Sequence, residues 1–383
     1  MVTKMREQQE APLEVLVVED SIAFAKLVIA LLRNGLSTPH NVRHVERVAH
    51  GVDVLHEFNQ DLVILDMHLP DASGLDTFEA IYGAGPDVPI VILSSDDTEE
   101  LAMEAVRRGA QDYLIKGADD PSKLMRSIRF AIERKKRLHA ESELEAARQI
   151  QQSLLPNSSP VMKGFDTHGA MFPAVETSGD YFDFIVPLPS IPGDVNGIAV
   201  GDVSGHGLGA AMMMAQTRGC LHSFAMVESD LGRVLELTNE VLVRNRNEHL
   251  VTLLFGYIDP ESNRFTYASA GHQGWHFSPA NGFTELESTG MLLGAERPGK
   301  WGTEYSPELQ VGDFLIIMTD GITEAMSPTG EMFGEERFAE FIREHRDRSA
   351  EQIVNLLRKH LYSFTEGHSQ QDDMTMVIIK VTR

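Results

Sequence analysis

The stretch GIAVGDVSGHG, residues 197–207, is the most informative part of this 383-residue sequence. Its first residues are apolar, as in a buried β-strand, and the run delivers Asp202 into a glycine-rich turn. Glycines let the backbone approach a ligand closely, and a free carbonyl beside such an aspartate can itself bind a cation. The stretch therefore predicts a strand end that forms part of a binding site.

The same arrangement recurs twice downstream. The apolar run at 314–318 ends in Thr319-Asp320-Gly321, and Asp372 and Asp373 immediately precede a strand-like run at 376–379. Carboxylates at the ends of buried strands, without a cluster of cysteine or histidine, are the ligands that hard cations such as Mg²⁺ and Mn²⁺ prefer. The pattern indicates a metal centre.

Composition limits the class of protein. The chain is long enough for two or three domains, and its 42% hydrophobic residues can form a substantial core. A net charge of −24 argues against a general nucleic-acid binder, because phosphate contacts need surplus Lys and Arg. The single cysteine, Cys220, excludes an intramolecular disulfide, and no long apolar segment or signal peptide is evident. We therefore expect a soluble, cytoplasmic protein with no membrane contact.

Residues 13–125 alternate short apolar runs with helix-length segments, which predicts a doubly wound α/β domain with a parallel sheet. In such sheets ligands bind beyond the carboxyl ends of the strands. Three carboxylates that meet there repel one another unless a cation lies between them, and a lysine and a hydroxyl opposite would suit a phosphoryl group. The polar residues that follow the runs, in order, are Glu19, Asp20, Asp66, Ser94 and Lys116.

By these residues the segment resembles the receiver domain of two-component response regulators, which has a flavodoxin-like fold. The resemblance implies that Asp66 is the phosphoacceptor and that a sensor histidine kinase is the partner. The Mg²⁺ ligands that it implies are Glu19, Asp20, Asp66 and the backbone carbonyl of His68. The switch residues that it implies are Ser94, Tyr113 and Lys116. Gly117 departs from the family, which commonly has proline there, and this loosens the loop.

Residues 121–156 form a helix-favouring segment without glycine or internal proline, and its first half is basic. The basic residues could be a solvated face, could dock on the chain's own acidic surface, or could contact nucleic acid. Alternating spacings of four and three suggest a short coiled-coil seam and a possible homodimer. The seam residues are Ala140, Leu144, Ala147, Gln151 and Leu154. Its end, QQSLLP, resembles the sequence that precedes bacterial stress-response phosphatase domains.

Residues 157–383 mix helices with short strands joined by tight turns, which predicts an α+β domain with antiparallel sheets flanked by helices. Its acidic motifs occur in the order of the metal-dependent PPM serine/threonine phosphatases, and resemble the bacterial branch that acts on anti-sigma-factor antagonists. The resemblance implies that Asp202 bridges two Mn²⁺ or Mg²⁺ ions and that the Val203 carbonyl binds the second. Asp320 and Asp372 would complete the first metal, and Asp180 would act through water.

Two cations that share a carboxylate lower the pKa of a water between them and neutralise charge on a phosphoryl group. No covalent enzyme intermediate is then needed. His206 is either a general acid or a turn residue, and the group that grips the substrate phosphate is unassigned.

Together the two resemblances imply a response regulator, phosphorylated on Asp66, whose output is a phosphoserine/phosphothreonine phosphatase. The resemblance makes a STAS-type antagonist in a partner-switching pathway the expected substrate. The competing hypothesis is a non-catalytic adaptor that uses the phosphatase fold as a binding surface. A DNA-binding regulator is disfavoured, because no recognition module is recognisable.

Overall fold

The computed structural model describes residues 11–94, 104–116, 121–174, 177–193, 195–244, 249–259, 261–368 and 370–383. The chain divides into two compact units, with the boundary between Ser142 and Glu143. This boundary lies inside the segment predicted as a linker.

The N-terminal unit is built on a five-stranded parallel sheet, as the alternating pattern predicts. Its strands, from edge to edge, are His40–Val45, Leu13–Val18, Leu62–Asp66, Ile90–Ser94 and Asp112–Ile115. A short hairpin pairs His68–Leu69 with Ala72–Ser73. Among the described residues, the helices that pack beside the sheet include Ile22–Gly35, Val48–Glu57 and Leu75–Ala84. Apolar clusters cover both faces of the sheet, so its three central strands are buried and their polar ends meet along one edge.

A single helix, Pro121–Leu154, contains the unit boundary. In its first half Leu124, Ile128 and Ile132 are buried in the core of the N-terminal unit. The helix ends two residues before the predicted end at 156, which agrees with the disfavoured helical geometry before Pro156. The helix is therefore both part of the first domain and the covalent connection to the second.

The C-terminal unit contains two five-stranded antiparallel sheets. The first has the order Glu304–Tyr305, Arg264–Ala270, Val251–Asp259, Gly197–Val203 and Tyr181–Ile185. The second has the order Gly282–Leu286, Gly274–Ser278, Phe314–Met318, Met374–Val381 and Phe165–Phe172.

Three apolar clusters lie between the successive layers of this unit. One packs side chains of the two sheets against each other, among them Val200, Leu254 and Val377. The other two bury the outer sheet faces under helices Leu208–Ala225 and Leu231–Arg244, and under helices Gly334–His345 and Ala350–Phe364. The result is a sandwich of two sheets between two helical layers, as the prediction of antiparallel sheets flanked by helices requires.

Candidate functional site

An acidic cluster lies at the carboxyl edge of the parallel sheet. Glu19, Asp20 and Asp66 each offer a carboxylate oxygen, and these oxygens lie within 4.8 Å of one another. Lys116 Nζ lies 2.6 Å from Glu19 Oε2 and 2.8 Å from Asp66 Oδ2. Burial raises the pKa of Glu19, the hydrogen bond from Lys116 opposes this, and the charge of Asp66 adds to it. The oxygen ligands fit Mg²⁺, as the sequence predicts.

The remaining residues predicted for this site are placed by the same strands. The His68 amide donates to Asp66 Oδ1 at 3.2 Å, so the turn after Asp66 folds back on the carboxylate. Ser94 and Ile115 are paired at the ends of adjacent strands, and Lys116 follows directly. Tyr113 is half-buried in the edge strand. Gly117 lies outside the described residues, so the effect of this departure stays a prediction.

In the C-terminal unit, strand register brings the first two acidic motifs together. Tyr181 pairs with Gly201, which places Asp180 beside Asp202 although the two are separated by a long loop. In the second sheet the Thr319 amide donates to the Thr375 carbonyl at 2.9 Å, so Asp320 lies beside the 372–374 segment. These four strand ends form one acidic edge, which we define by Asp180, Asp202, Asp320, Asp372 and Asp373.

The carboxylates of this acidic edge influence one another electrostatically. Asp180 is buried, and burial together with the charge of Asp202 holds its pKa well above the usual value for an aspartate. Burial and then the charge of Asp320 raise the pKa of Asp202 to about 6. The pKa of Asp372 is raised by burial and by Asp320. Mutual repulsion of this kind is relieved when cations bind between the carboxylates.

The residues of the acidic edge fit divalent cations. The donors are carboxylate and carbonyl oxygens, which suit Mg²⁺ and Mn²⁺. A Cβ added to Gly179 would lie 2.6 Å from the Val203 carbonyl oxygen, so only glycine leaves that expected ligand room. Among the described residues, the only group of three potential ligands within 4.8 Å is the N-terminal cluster. The acids here are more widely spaced, as expected where ligands are distributed over two ions.

Several hydrogen bonds that hold the acidic edge were not predicted from the sequence. The Thr319 hydroxyl donates to Asp180 Oδ2 at 2.7 Å. Asp373 accepts from the amide of Ala174 at 2.8 Å and from that of Gly179 at 3.0 Å. A buried acid one position after the predicted ligand Asp372 therefore anchors the loop that carries Asp180. The repeated acid in QDDMT is the only sequence signal for this role.

Two histidines lie near the glycine-rich turn. His206 is exposed, and its charge lowers the pKa of Asp372, against the larger effect of burial. The His249 ring bonds through Nδ1 to the Ser204 carbonyl at 2.7 Å and packs against Gly205. His249 thus stabilises the turn, and the choice between general acid and turn residue for His206 stays open.

Buried His272 supports the strand that carries Asp202. Its Nδ1 lies 2.9 Å from Thr252 Oγ1, and Thr252 is paired with Asp202 in the sheet. Burial lowers the pKa of His272 to about 4. The histidine is therefore neutral near neutral pH and acts as a hydrogen-bonded core residue.

Two family models match the chain. Residues 15–129 match the response regulator receiver domain, and residues 192–382 match Stage II sporulation protein E (SpoIIE). None of the described helices is long and apolar enough to cross a membrane.

Curated relatives match a little under two thirds of the chain. The chain is 29% identical over 243 residues to the phosphoserine phosphatase RsbU of Bacillus subtilis, which covers 63% of this chain and 70% of RsbU. It is 30% identical over 266 residues to the protein IcfG of Synechocystis, which covers 62% of this chain but only 41% of IcfG.

A solved structure supports the fold of the C-terminal unit. The SiaA-PP2C domain of Pseudomonas aeruginosa superposes with a TM-score of 0.55 at 20% identity, over 64% of this chain and 98% of that domain. At that identity the likeness concerns the fold alone.

Proposed function

Because the chain belongs to the response regulators that join a receiver domain to a PPM-type serine/threonine phosphatase domain, we propose that phosphorylation of Asp66 controls its phosphatase activity. The observation that supports the proposal most strongly is the convergence of four strand ends, each carrying an acid, on one edge of the C-terminal unit. The domain limits that we propose are 13–125 for the receiver, 121–156 for the helix and 157–383 for the phosphatase.

In the receiver, the residues present would hold Mg²⁺ through Glu19, Asp20, Asp66 and the His68 carbonyl. Lys116 already contacts Asp66 Oδ2 and can neutralise charge on a phosphoryl group attached there. Ser94, at the end of the neighbouring strand, is the proposed switch hydroxyl, and Tyr113 is the proposed switch aromatic. A sensor histidine kinase is the proposed donor.

In the phosphatase, Asp202, Asp320, Asp372 and the Val203 carbonyl would hold two Mn²⁺ or Mg²⁺ ions, with Asp180 acting through water. When bound, these ions would supply an activated water and charge compensation for the phosphoryl group. Thr319 fixes the orientation of Asp180, and Asp373 holds the loop before it, so the ligands are positioned before metal arrives. Exposed His206, in the glycine-rich turn that follows Asp202, is the candidate general acid that would transfer a proton to the leaving oxygen.

The proposed substrate is a phosphoserine or phosphothreonine on a regulatory protein, with a STAS-type antagonist as the specific candidate. The similarity to the phosphoserine phosphatase RsbU supports this substrate class. A cytoplasmic location would suit both the kinase partner and the single cysteine.

The test is Mn²⁺-dependent hydrolysis of a phosphoserine peptide by the full-length chain. Asp202→Asn removes a charge from the proposed metal site and should lower kcat/KM by roughly 10³-fold or more, while circular dichroism stays unchanged. Asp347→Asn, an exposed acid between two helices, is the control and should retain full activity. If hydrolysis is unchanged by EDTA and by Asp202→Asn, the proposed metal-dependent phosphatase is wrong and the adaptor hypothesis is favoured.

A further inference from the structure

The last turn of the helix Pro121–Leu154 contains a polar side chain, Gln151, that is buried although glutamine is usually exposed. Gln151 is only 5% exposed, whereas its neighbours Gln152 and Ser153 are exposed. The sequence pattern placed Gln151 in a coiled-coil seam, where a glutamine is a poor packing residue. The structure gives it a different environment, inside the C-terminal unit.

Gln151 forms a closed pair of hydrogen bonds with the backbone of Ser178. Its Nε2 donates to the Ser178 carbonyl at 2.5 Å, and its Oε1 accepts from the Ser178 amide at 3.0 Å. Ser178 is itself fully buried at 1% exposure. Both ends of the amide are used, and a buried backbone group that lost such a partner would be costly to leave unpaired.

Ser178 begins the segment that reaches the acidic edge. Its hydroxyl accepts from the Asp180 amide at 3.1 Å. The next residue, Gly179, donates to Asp373 at 3.0 Å and packs so closely that an added Cβ would lie 2.6 Å from the Val203 carbonyl oxygen. A displacement of Ser178 would therefore move Asp180 and press the chain against the Val203 carbonyl, a proposed metal ligand.

We propose that Gln151 is a positioning residue that sets the metal affinity of the acidic edge from the end of the linker helix. Residues that orient metal ligands without touching the ion change its affinity by roughly 10–100-fold. The end of the linker helix is therefore joined to the segment that carries Asp180 by hydrogen bonds as well as by the chain itself. The inference depends on the proposed function, because it assumes that the acidic edge holds metal.

The test compares two neighbouring glutamines in the full-length chain. Gln151→Met keeps the length of the side chain but removes its donor and acceptor, and Gln152→Met is the matched exposed control. Calorimetry with Mn²⁺ alone measures binding, and a Mn²⁺ titration of peptide hydrolysis separates metal affinity from kcat. We expect Gln151→Met to weaken Mn²⁺ binding by roughly 10–100-fold, with kcat recovered at saturating Mn²⁺. Gln152→Met should match the wild type.

A purely structural role would lower thermal stability and leave the Mn²⁺ dissociation constant unchanged, which would overturn the inference. If Gln151→Met does not fold, Gln151→Glu provides the second variant. It keeps the acceptor for the Ser178 amide and places an acid against the Ser178 carbonyl, so Mn²⁺ affinity should again fall. Wild-type affinity in Gln151→Glu would also overturn it. If Asp202→Asn binds Mn²⁺ as well as the wild type does, the proposed metal site fails instead.

Discussion

The two acidic sites of this chain differ in how their carboxylates are held. In the receiver, Lys116 lies within 2.8 Å of both Glu19 and Asp66, so part of the countercharge comes from the protein itself. On the acidic edge of the phosphatase, the hydroxyl of Thr319 and backbone amides hold Asp180 and Asp373. Neutral donors orient a carboxylate but do not cancel its charge. Under the proposed function, the receiver would carry part of the charge compensation for a phosphoryl group in its own lysine, whereas the acidic edge would obtain it from bound cations.

The largest effect should come from removing the built-in cation of the receiver. Lys116→Met leaves Glu19 and Asp66 as buried, unpaired carboxylates and should destabilise the receiver by about 3 kcal/mol. Hydrogen exchange of the Leu62–Asp66 amides in the full-length chain measures this locally. Added Mg²⁺ should restore much of the protection. Lys135→Met, which removes a more exposed lysine, is the control. If hydrogen exchange is unchanged in Lys116→Met, the lysine does not stabilise the receiver carboxylates, and the two sites do not differ in their need for added cations.

A smaller effect is expected for communication between the sites. Beryllofluoride on Asp66 should raise kcat/KM for a phosphoserine peptide by roughly 5–150-fold, the range of an ordinary coupling free energy. Inserting about two residues at Ala140 rotates one half of the helix against the other and should abolish this gain. An insertion of about seven residues, close to two full turns, should retain it.

Asp66→Asn should neither respond to beryllofluoride nor gain a phosphoryl group from acetyl phosphate by intact-mass spectrometry. If the wild type with and without beryllofluoride, both insertion variants and Asp66→Asn have equal activity, the helix does not transmit a signal between the domains.

The smallest effect concerns pH and the stability of the phosphatase unit. His272 has a folded-state pKa of about 4, below the ordinary value of 6.5, because burial disfavours its charged form. Its neutral form is fully compatible with the fold above about pH 6.5, and stability is lost progressively as pH falls toward 4. Between about pH 7.5 and pH 5.5 this residue should cost roughly 1 kcal/mol of unfolding free energy.

Both tryptophans, Trp275 and Trp301, lie in the phosphatase unit, so urea unfolding followed by tryptophan fluorescence reports on it selectively. His272→Gln should reduce the pH dependence by that amount. His368→Gln, in which an exposed histidine is replaced, should not. An identical pH dependence in all three proteins would contradict the buried, neutral state of His272.

The sequence predicted the strand ends well, because apolar runs that stop at an acid are local patterns. Both fold classes and the receiver sheet are confirmed on this basis. Asp202 and Asp320 each lie at or just beyond the end of a run that the structure forms as a strand. Register then brings the acids together, and a one-residue slip would turn them to the opposite face.

The contacts that support the site could not be predicted in the same way. Gln151 bonds to a residue 27 positions away, and Asp373 bonds to one 194 positions away. Such contacts depend on tertiary packing and leave no periodic signal in the sequence. Gln151 therefore looked like an imperfect seam residue, although its amide is used within the C-terminal unit.

The strand Met374–Val381 is a central strand of its sheet, between Phe314–Met318 and Phe165–Phe172. A ribosome that has not yet released this segment holds a nascent phosphatase whose second sheet is split into two unpaired edges. Asp372 and Asp373 are also absent from the acidic edge at that stage. The acidic edge can therefore assemble only after this strand has left the exit tunnel, while the receiver domain, which is earlier in the chain, can already fold.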